Sequence, residues 1–148
     1  MLKIKRTGAS EYGHYINALI CGDPGAGKTL ISSTFPNPLY ASAEGGLMSI
    51  ADKGIPYVDV NASAQLLEIA KSLRGTPEDR EKEFGFPVDT IVIDTIDEVQ
   101  NILKRERTKG DVNASLSQKD WGWLAEKMKS IVVAFRDMDI NFVMTCHV

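Results

Sequence analysis

Gly22-Asp23-Pro24-Gly25-Ala26-Gly27-Lys28-Thr29 fits the pattern G-x-x-x-x-G-K-[ST] at every fixed position. The chemistry of such a stretch is phosphate binding. Glycines let successive backbone N–H groups turn inward on an anion, at angles and approaches that a side chain would forbid. The Lys28 ammonium then reaches the β- and γ-phosphates, the Thr29 hydroxyl can ligand Mg²⁺, and a helix starting there adds its positive dipole end. All eight residues from Gly22 to Thr29 are therefore candidates for binding a nucleoside triphosphate. A Gly-rich turn that merely precedes a helix would not require Lys-Thr at its end.

For that loop to work, a strand must deliver it and a helix must leave it. Ile16–Cys21 reads as a short buried parallel strand, and Thr29–Ser33 as the start of a helix. Pro36 and Pro38 end that helix early. Leu39–Ala43 reads as a second strand, and Ile55–Val60 as a third, with Pro56 placing it at an edge or a strand start. A helix follows, capped by Asn61 or Ser63, with Leu66, Ile69, Ala70 and Leu73 on its core face. Gly75 to Pro87 reads as a charged surface loop. Val88–Asp94 is a β-branched run ending in an acid, as in a strand covered on both faces.

Ile96, Val99 and Leu103 mark the next helix, and Thr108 to Lys119 a polar loop. Ser117 and Asp120 have capping-box spacing ahead of a long helix striped by Trp121, Leu124, Met128, Ile131 and Phe135. Of the two tryptophans near its start, Trp121 reads as core and Trp123 as a surface or contact residue. The last strand is Ile140–Thr145. Strands alternating with helices give an α/β fold with a mainly parallel sheet, here one nucleotide-binding domain over 1–148 with residues 1–15 as an arm or short edge strand.

In such a sheet ligands sit beyond the carboxyl ends of the strands, which brings Glu44, Asp94 and His147 forward beside the loop. Asp94 fits the acid that holds Mg²⁺ with Thr29, or else caps the helix after it. Thr95 follows it, so the acid pair that polarises water in many ATPases is absent. Glu44 is the candidate to orient water for in-line attack on the γ-phosphate, or it is a solvated turn acid before Gly45-Gly46. His147 either senses the γ-phosphate or is structural. Lys104, Arg105, Arg107, Lys109 and Lys119 could meet nucleic-acid phosphates, or simply favour a helix C-terminus.

Composition sets the outer bounds. With 148 residues, 43% of them hydrophobic and 25% charged, the chain can bury a substantial core, and a net charge of -3 argues against nucleic-acid binding by overall basicity. No apolar run approaches ~20 residues and the N-terminus lacks the apolar core of a signal peptide, which gives no membrane partner and a cytoplasmic location as the expectation. Cys21 and Cys146 read as buried, reduced thiols.

The loop, Leu39–Gly46, Val88–Thr95, Gln118-Lys119-Asp120-Trp121-Gly122 and Thr145-Cys146-His147 together resemble the phage RecA-like P-loop ATPases, AAA-domain nucleotide-binding proteins that include the Sak-type single-strand annealing proteins. The resemblance covers about residues 13–148. It implies an ATPase core of DNA recombination or annealing, using ATP and Mg²⁺, assembled as a homo-oligomer on single-stranded DNA with nucleotide between subunits. It also implies Glu44 as the catalytic glutamate, Lys28 as the phosphate lysine, and Asp94 with Thr29 at the metal. His147 stands where recombinases carry a γ-phosphate-sensing glutamine, and 108–119 corresponds to their first DNA-binding loop. Two departures accompany it: that loop is weakly basic, and histidine replaces glutamine. A RecA-like core would continue past His147 with further strands and cations, so the expectation for 1–148 alone is nucleotide binding with inefficient hydrolysis.

Overall fold

The computed structural model describes residues 15–148. Five strands form one sheet: β1 (Asn17–Cys21), β2 (Pro38–Ser42), β3 (Tyr57–Asp59), β4 (Thr90–Asp94) and β5 (Asn141–Cys146). Their order is β1-β5-β4-β2-β3 and every pairing is parallel. The helices are α1 (Lys28–Ser32), α2 (Ser63–Leu73), α3 (Pro77–Phe84), α4 (Ile96–Arg107) and α5 (Gln118–Arg136), with a 3₁₀ helix at Leu47–Lys53. The proposed N-terminal arm lies outside the described residues, apart from Tyr15.

Strand alternation explains why both faces of the sheet are covered. Leu39, Ala41, Ile91, Ile93 and Phe142 point to one side and pack with Leu66, Leu73, Val99, Leu103, Leu124 and Phe135 from α2, α4 and α5. Tyr40, Val92 and Val143 point to the other, where Phe35, Leu47 and Ile50 meet them after α1 and in the 3₁₀ helix. β4 is buried at all five positions, as its unbroken β-branched run requires. The outcome is a three-layer α/β fold of the P-loop NTPase type.

β1 departs from expectation. Among the described residues it pairs only with β5, so it is an edge strand and Leu19 is 55% exposed. An apolar run reads alike for a central strand and for an edge whose other side is open. The cysteines differ as well: Cys21 and Cys146 are register partners on β1 and β5, bonded as a disulfide, and Cys21 is exposed. A sequence separation of 125 hides a pair that only the parallel ladder brings together.

The stretch after Gly75 is a helix, α3, rather than a loop. Its start signals are complete: Thr76 caps it by accepting from the Asp79 N–H, Pro77 sits in the first turn, and Gly85 ends it at φ 75°. Charged composition obscured them. Arg80 is buried from α3, and its Nη1 donates to the carbonyls of Leu73 and Gly75 at the end of α2. At the start of α2 the capping residue is Ala62, not Asn61 or Ser63. Gln65 Oε1 reaches back to the N–H groups of Asn61 and Ala62, and Glu106 from α4 accepts from Ser63.

Trp121 departs from the core position expected of it. Trp121 is 46% exposed with Lys104 over its ring, while Trp123 packs against the core edge between Arg107 and Lys127. Because α5 lies against both α2 and α4, its buried face is wider than one stripe.

Ser117 and Asp120 form the expected capping box of α5. Donation from Ser117 Oγ, then from Arg107 and the Ser117 N–H, pulls the Asp120 carboxyl from its ordinary 3.8 down to about 2. A carboxyl lowered on folding contributes stability above its unfolded value and loses it as pH falls through the folded one. Asp120→Asn should therefore flatten the fall of the urea midpoint between about pH 4 and pH 2 relative to the parent.

Candidate functional site

The loop leaves the carboxyl end of β1, tied to β5 by the Gly22 N–H donating to the Cys146 carbonyl at 3.2 Å. Gly27 has φ +88° and caps α1, a conformation that L side chains rarely adopt. At Gly22 the limit is space: a Cβ there would stand 3.2 Å from that of Ala26.

Lys28 is 8% exposed, and its Nζ donates to the carbonyls of Gly22 at 2.8 Å and Asp23 at 2.9 Å. The lysine is thus folded back under its own loop. Thr29 Oγ1 donates to Asp94 Oδ2 at 3.2 Å, joining the loop to the end of β4.

Asp94 reaches Thr29 because it shares strand parity with Val92 and so faces α1. Its other oxygen accepts from the Thr145 hydroxyl of β5. The capping of α4 falls to Thr95, whose Oγ1 accepts from the Glu98 N–H, so Asp94 is free of that duty. The Asp94–Thr95 peptide is cis.

β5 lies between β1 and β4, which sets His147 between the loop and the acid. Its Nδ1 is 3.4 Å from Lys28 Nζ, and its Nε2 is 3.3 Å from both carboxylate oxygens of Glu44. Glu44 follows β2, and its backbone N–H donates to the Asp94 carbonyl at 3.3 Å. Three residues, from the ends of β2 and β5 and from the loop, therefore make one chain, Lys28–His147–Glu44. Together with Pro24, Gly25, Gly27, Thr29, Asp94 and Thr95 they line a cleft of about 380 Å³. A wider cleft of about 690 Å³, beside Arg74, Arg80 and the end of α5, holds none of these groups. Asp23 and Ala26 contribute through the backbone: the Ala26 N–H donates to the Asp23 carbonyl at 3.1 Å, shaping the turn.

Two supporting residues went unread in the sequence. Asp97 accepts from the His147 backbone N–H at 2.8 Å, fixing the end of β5 from the first turn of α4. Three residues past Asp94, it looks like an ordinary acid at a helix start. Tyr40 is fully buried, and its hydroxyl lies 3.0 Å from the Thr29 carbonyl and 2.6 Å from Ser32 Oγ. Burial pushes the phenol up to about 12, against the lowering effect of the Ser32 hydrogen bond and with a smaller push from Asp94, so it stays a protonated donor. Tyr40→Phe leaves these partners short of a hydrogen bond and should cost about 1–2 kcal/mol in denaturant unfolding.

Among the described residues no group of three or more His, Cys, Asp or Glu could hold a metal by itself. One hydroxyl and one carboxylate are hard oxygen donors of the kind Mg²⁺ takes alongside substrate phosphates, so Thr29 and Asp94 fit that ion. The expected basic cluster is partly spent internally. Arg107 pairs with Asp120 at 2.6 Å and Arg105 with Glu98 at 3.0 Å. No helix among the described residues is long and apolar enough to cross a membrane.

A parallel sheet whose strand ends gather a phosphate loop, a metal-type acid and a polar chain around one cleft defines a P-loop nucleotide-binding protein. More particularly, the chain belongs to the AAA-domain family, whose model matches residues 14–148. That family carries nucleotide binding and ATPase chemistry. No curated protein matches the sequence.

Proposed function

We propose that this chain is the ATP-binding and ATP-hydrolysing core of a phage-type, RecA-like protein of DNA recombination or single-strand annealing. It works as a homo-oligomer on single-stranded DNA in the host cytoplasm, with ATP held between subunits. The observation that carries the reading is the chain Lys28–His147–Glu44 beside Thr29–Asp94.

The loop N–H groups and Lys28 bind and orient the triphosphate, Lys28 exchanging its two loop carbonyls for phosphate oxygens. Mg²⁺, held by Thr29 and Asp94, would neutralise charge on the β- and γ-oxygens. Glu44 orients the attacking water and accepts its proton. His147, touching both Lys28 and Glu44, reports the presence of the γ-phosphate from one to the other. Lys28 is the only lysine or arginine among the described residues lining the cleft, so a neighbouring subunit is the source of the further cation that a triphosphate calls for. On the DNA side, Lys109 in the loop between α4 and α5, with Lys119 and the half-exposed Trp121 in the first turn of α5 and Lys104 over the Trp121 ring, offers cations beside an aromatic surface.

A second reading is a nucleotide-dependent switch or assembly factor that does not touch DNA. The internal pairing of Arg105 and Arg107 favours it. ATP turnover with and without single-stranded DNA, over a salt series, separates the two. Stimulation together with salt-sensitive binding supports the recombination reading, and the loss of both leaves the switch.

A further inference from the structure

Cys21 and Cys146 occupy the last positions of β1 and β5, one residue before Gly22 of the phosphate loop and one before His147. They are register partners, with Cα atoms 4.8 Å apart. That is the ordinary spacing of neighbouring strands, so the dithiol and the disulfide fit the same backbone. By strand parity the pair faces away from the cleft: Ala18 and Ile20 of β1 point to the α1 side, so Cys21 points to the other, and Cys146 alternates likewise with Thr145, which bonds Asp94. Cys21 is exposed on the edge strand while Cys146 is buried. One sulfur is open to an external reagent, and the second waits behind it.

We propose that Cys21 and Cys146 form a reversible thiol–disulfide site, oxidised by a low-molecular-weight disulfide of the glutathione type, that tightens nucleotide binding by stapling the root of the phosphate loop to the strand bearing His147. The Cys21 thiolate attacks one sulfur of glutathione disulfide, making a mixed disulfide and expelling a glutathione thiolate. Cys146 gives its proton to water and attacks the Cys21 sulfur, releasing the second glutathione thiolate. Two protein thiols lose two electrons and two protons, and one glutathione disulfide becomes two glutathiones. Because the sulfurs lie behind the cleft, the exchange proceeds with nucleotide bound. The staple limits movement between Gly22, whose carbonyl holds Lys28, and His147, whose ring lies 3.4 Å from the same ammonium. A loop held in its binding geometry loses less entropy on taking up a phosphate.

The nucleotide effect rests on the proposed ATP binding, whereas the chemistry of the cysteines does not. The chain is equilibrated in mixtures of glutathione and its disulfide, trapped with iodoacetamide, and weighed intact; MgATP affinity is then measured on the fully oxidised and fully reduced forms. The expected result is two labels when reduced and none when oxidised, reversibly. Cys21→Ser should keep one label in reducing mixtures. ATP should bind the oxidised form about threefold more tightly, a difference absent from both Cys21→Ser and Cys21→Ala. Label counts indifferent to the glutathione ratio overturn the redox site. Equal ATP affinity in the two states overturns its effect on the cleft. ATP binding to neither form strikes the nucleotide reading as well as that effect, while the label count still decides the cysteine chemistry.

Discussion

Lys28→Ala is expected to weaken MgATP binding by roughly 100-fold while leaving the fold intact. The side chain is 8% exposed and its ammonium already sits among loop carbonyls, so in the proposed role it would meet a phosphate in a desolvated setting. Charge-assisted hydrogen bonds there contribute about 1.5–3 kcal/mol each, and a hundredfold loss is about 2.7 kcal/mol. The fold survives because backbone bonds hold the loop without the lysine: Gly22 N–H to Cys146, Ala26 N–H to Asp23 and Ile31 N–H to Gly27. Titration of the variant with a fluorescent ATP analogue, beside its thermal unfolding curve, checks both halves. A loss of affinity no greater than about threefold with an unchanged melting curve would mean that the loop does not use Lys28 on phosphate. Lys28→Arg should fail nearly as badly, since the planar guanidinium cannot place one donor under both loop carbonyls.

How far the sequence reached this site depends on the range of each interaction. The loop was legible because its requirements are local: glycine at Gly27 for a positive φ, and Lys-Thr at the first turn of α1. Asp94 and Glu44 were legible because an acid closing an apolar strand has few reasons to be there. What stayed hidden is set by the order of strands. Only the placing of β5 between β1 and β4 brings His147 within reach of both Lys28 and Glu44. The same placing pairs Cys21 with Cys146, which composition alone reads as two separate thiols. Tyr40 was overlooked for a different reason. An aromatic in a strand is ordinary core, and no pattern signals that its hydroxyl bonds the Thr29 carbonyl and Ser32 Oγ. Helix α3 carries every local start signal, the Thr76 cap and Pro77 among them, under a charged composition that reads as loop.

Glu44→Gln should leave ATP affinity within about threefold and lower the hydrolysis rate by roughly 10²–10³-fold. The reasoning starts from what the substitution keeps. Glutamine is isosteric, so the backbone bond to the Asp94 carbonyl and the contact with His147 Nε2 both remain available. What is lost, in the proposed role, is the basic oxygen that would take a proton from the attacking water, a loss that would fall on the transition state and not on the ground state. The carboxylate side chain is 45% exposed at the mouth of the cleft, well placed for water but in no need of a metal. A plain turn acid would give a different result: unchanged turnover, and a small rise in affinity from removing a negative charge near the phosphates. Single-turnover hydrolysis of radiolabelled ATP, with single-stranded DNA present, distinguishes the two. His147→Ala provides the second comparison. If histidine couples Lys28 to Glu44, its removal should slow hydrolysis by about tenfold or more in the parent, yet add almost nothing in Glu44→Gln, because residues acting as one unit are not additive. Independent, multiplying losses would place His147 outside the water-activating step and leave Glu44 to act alone.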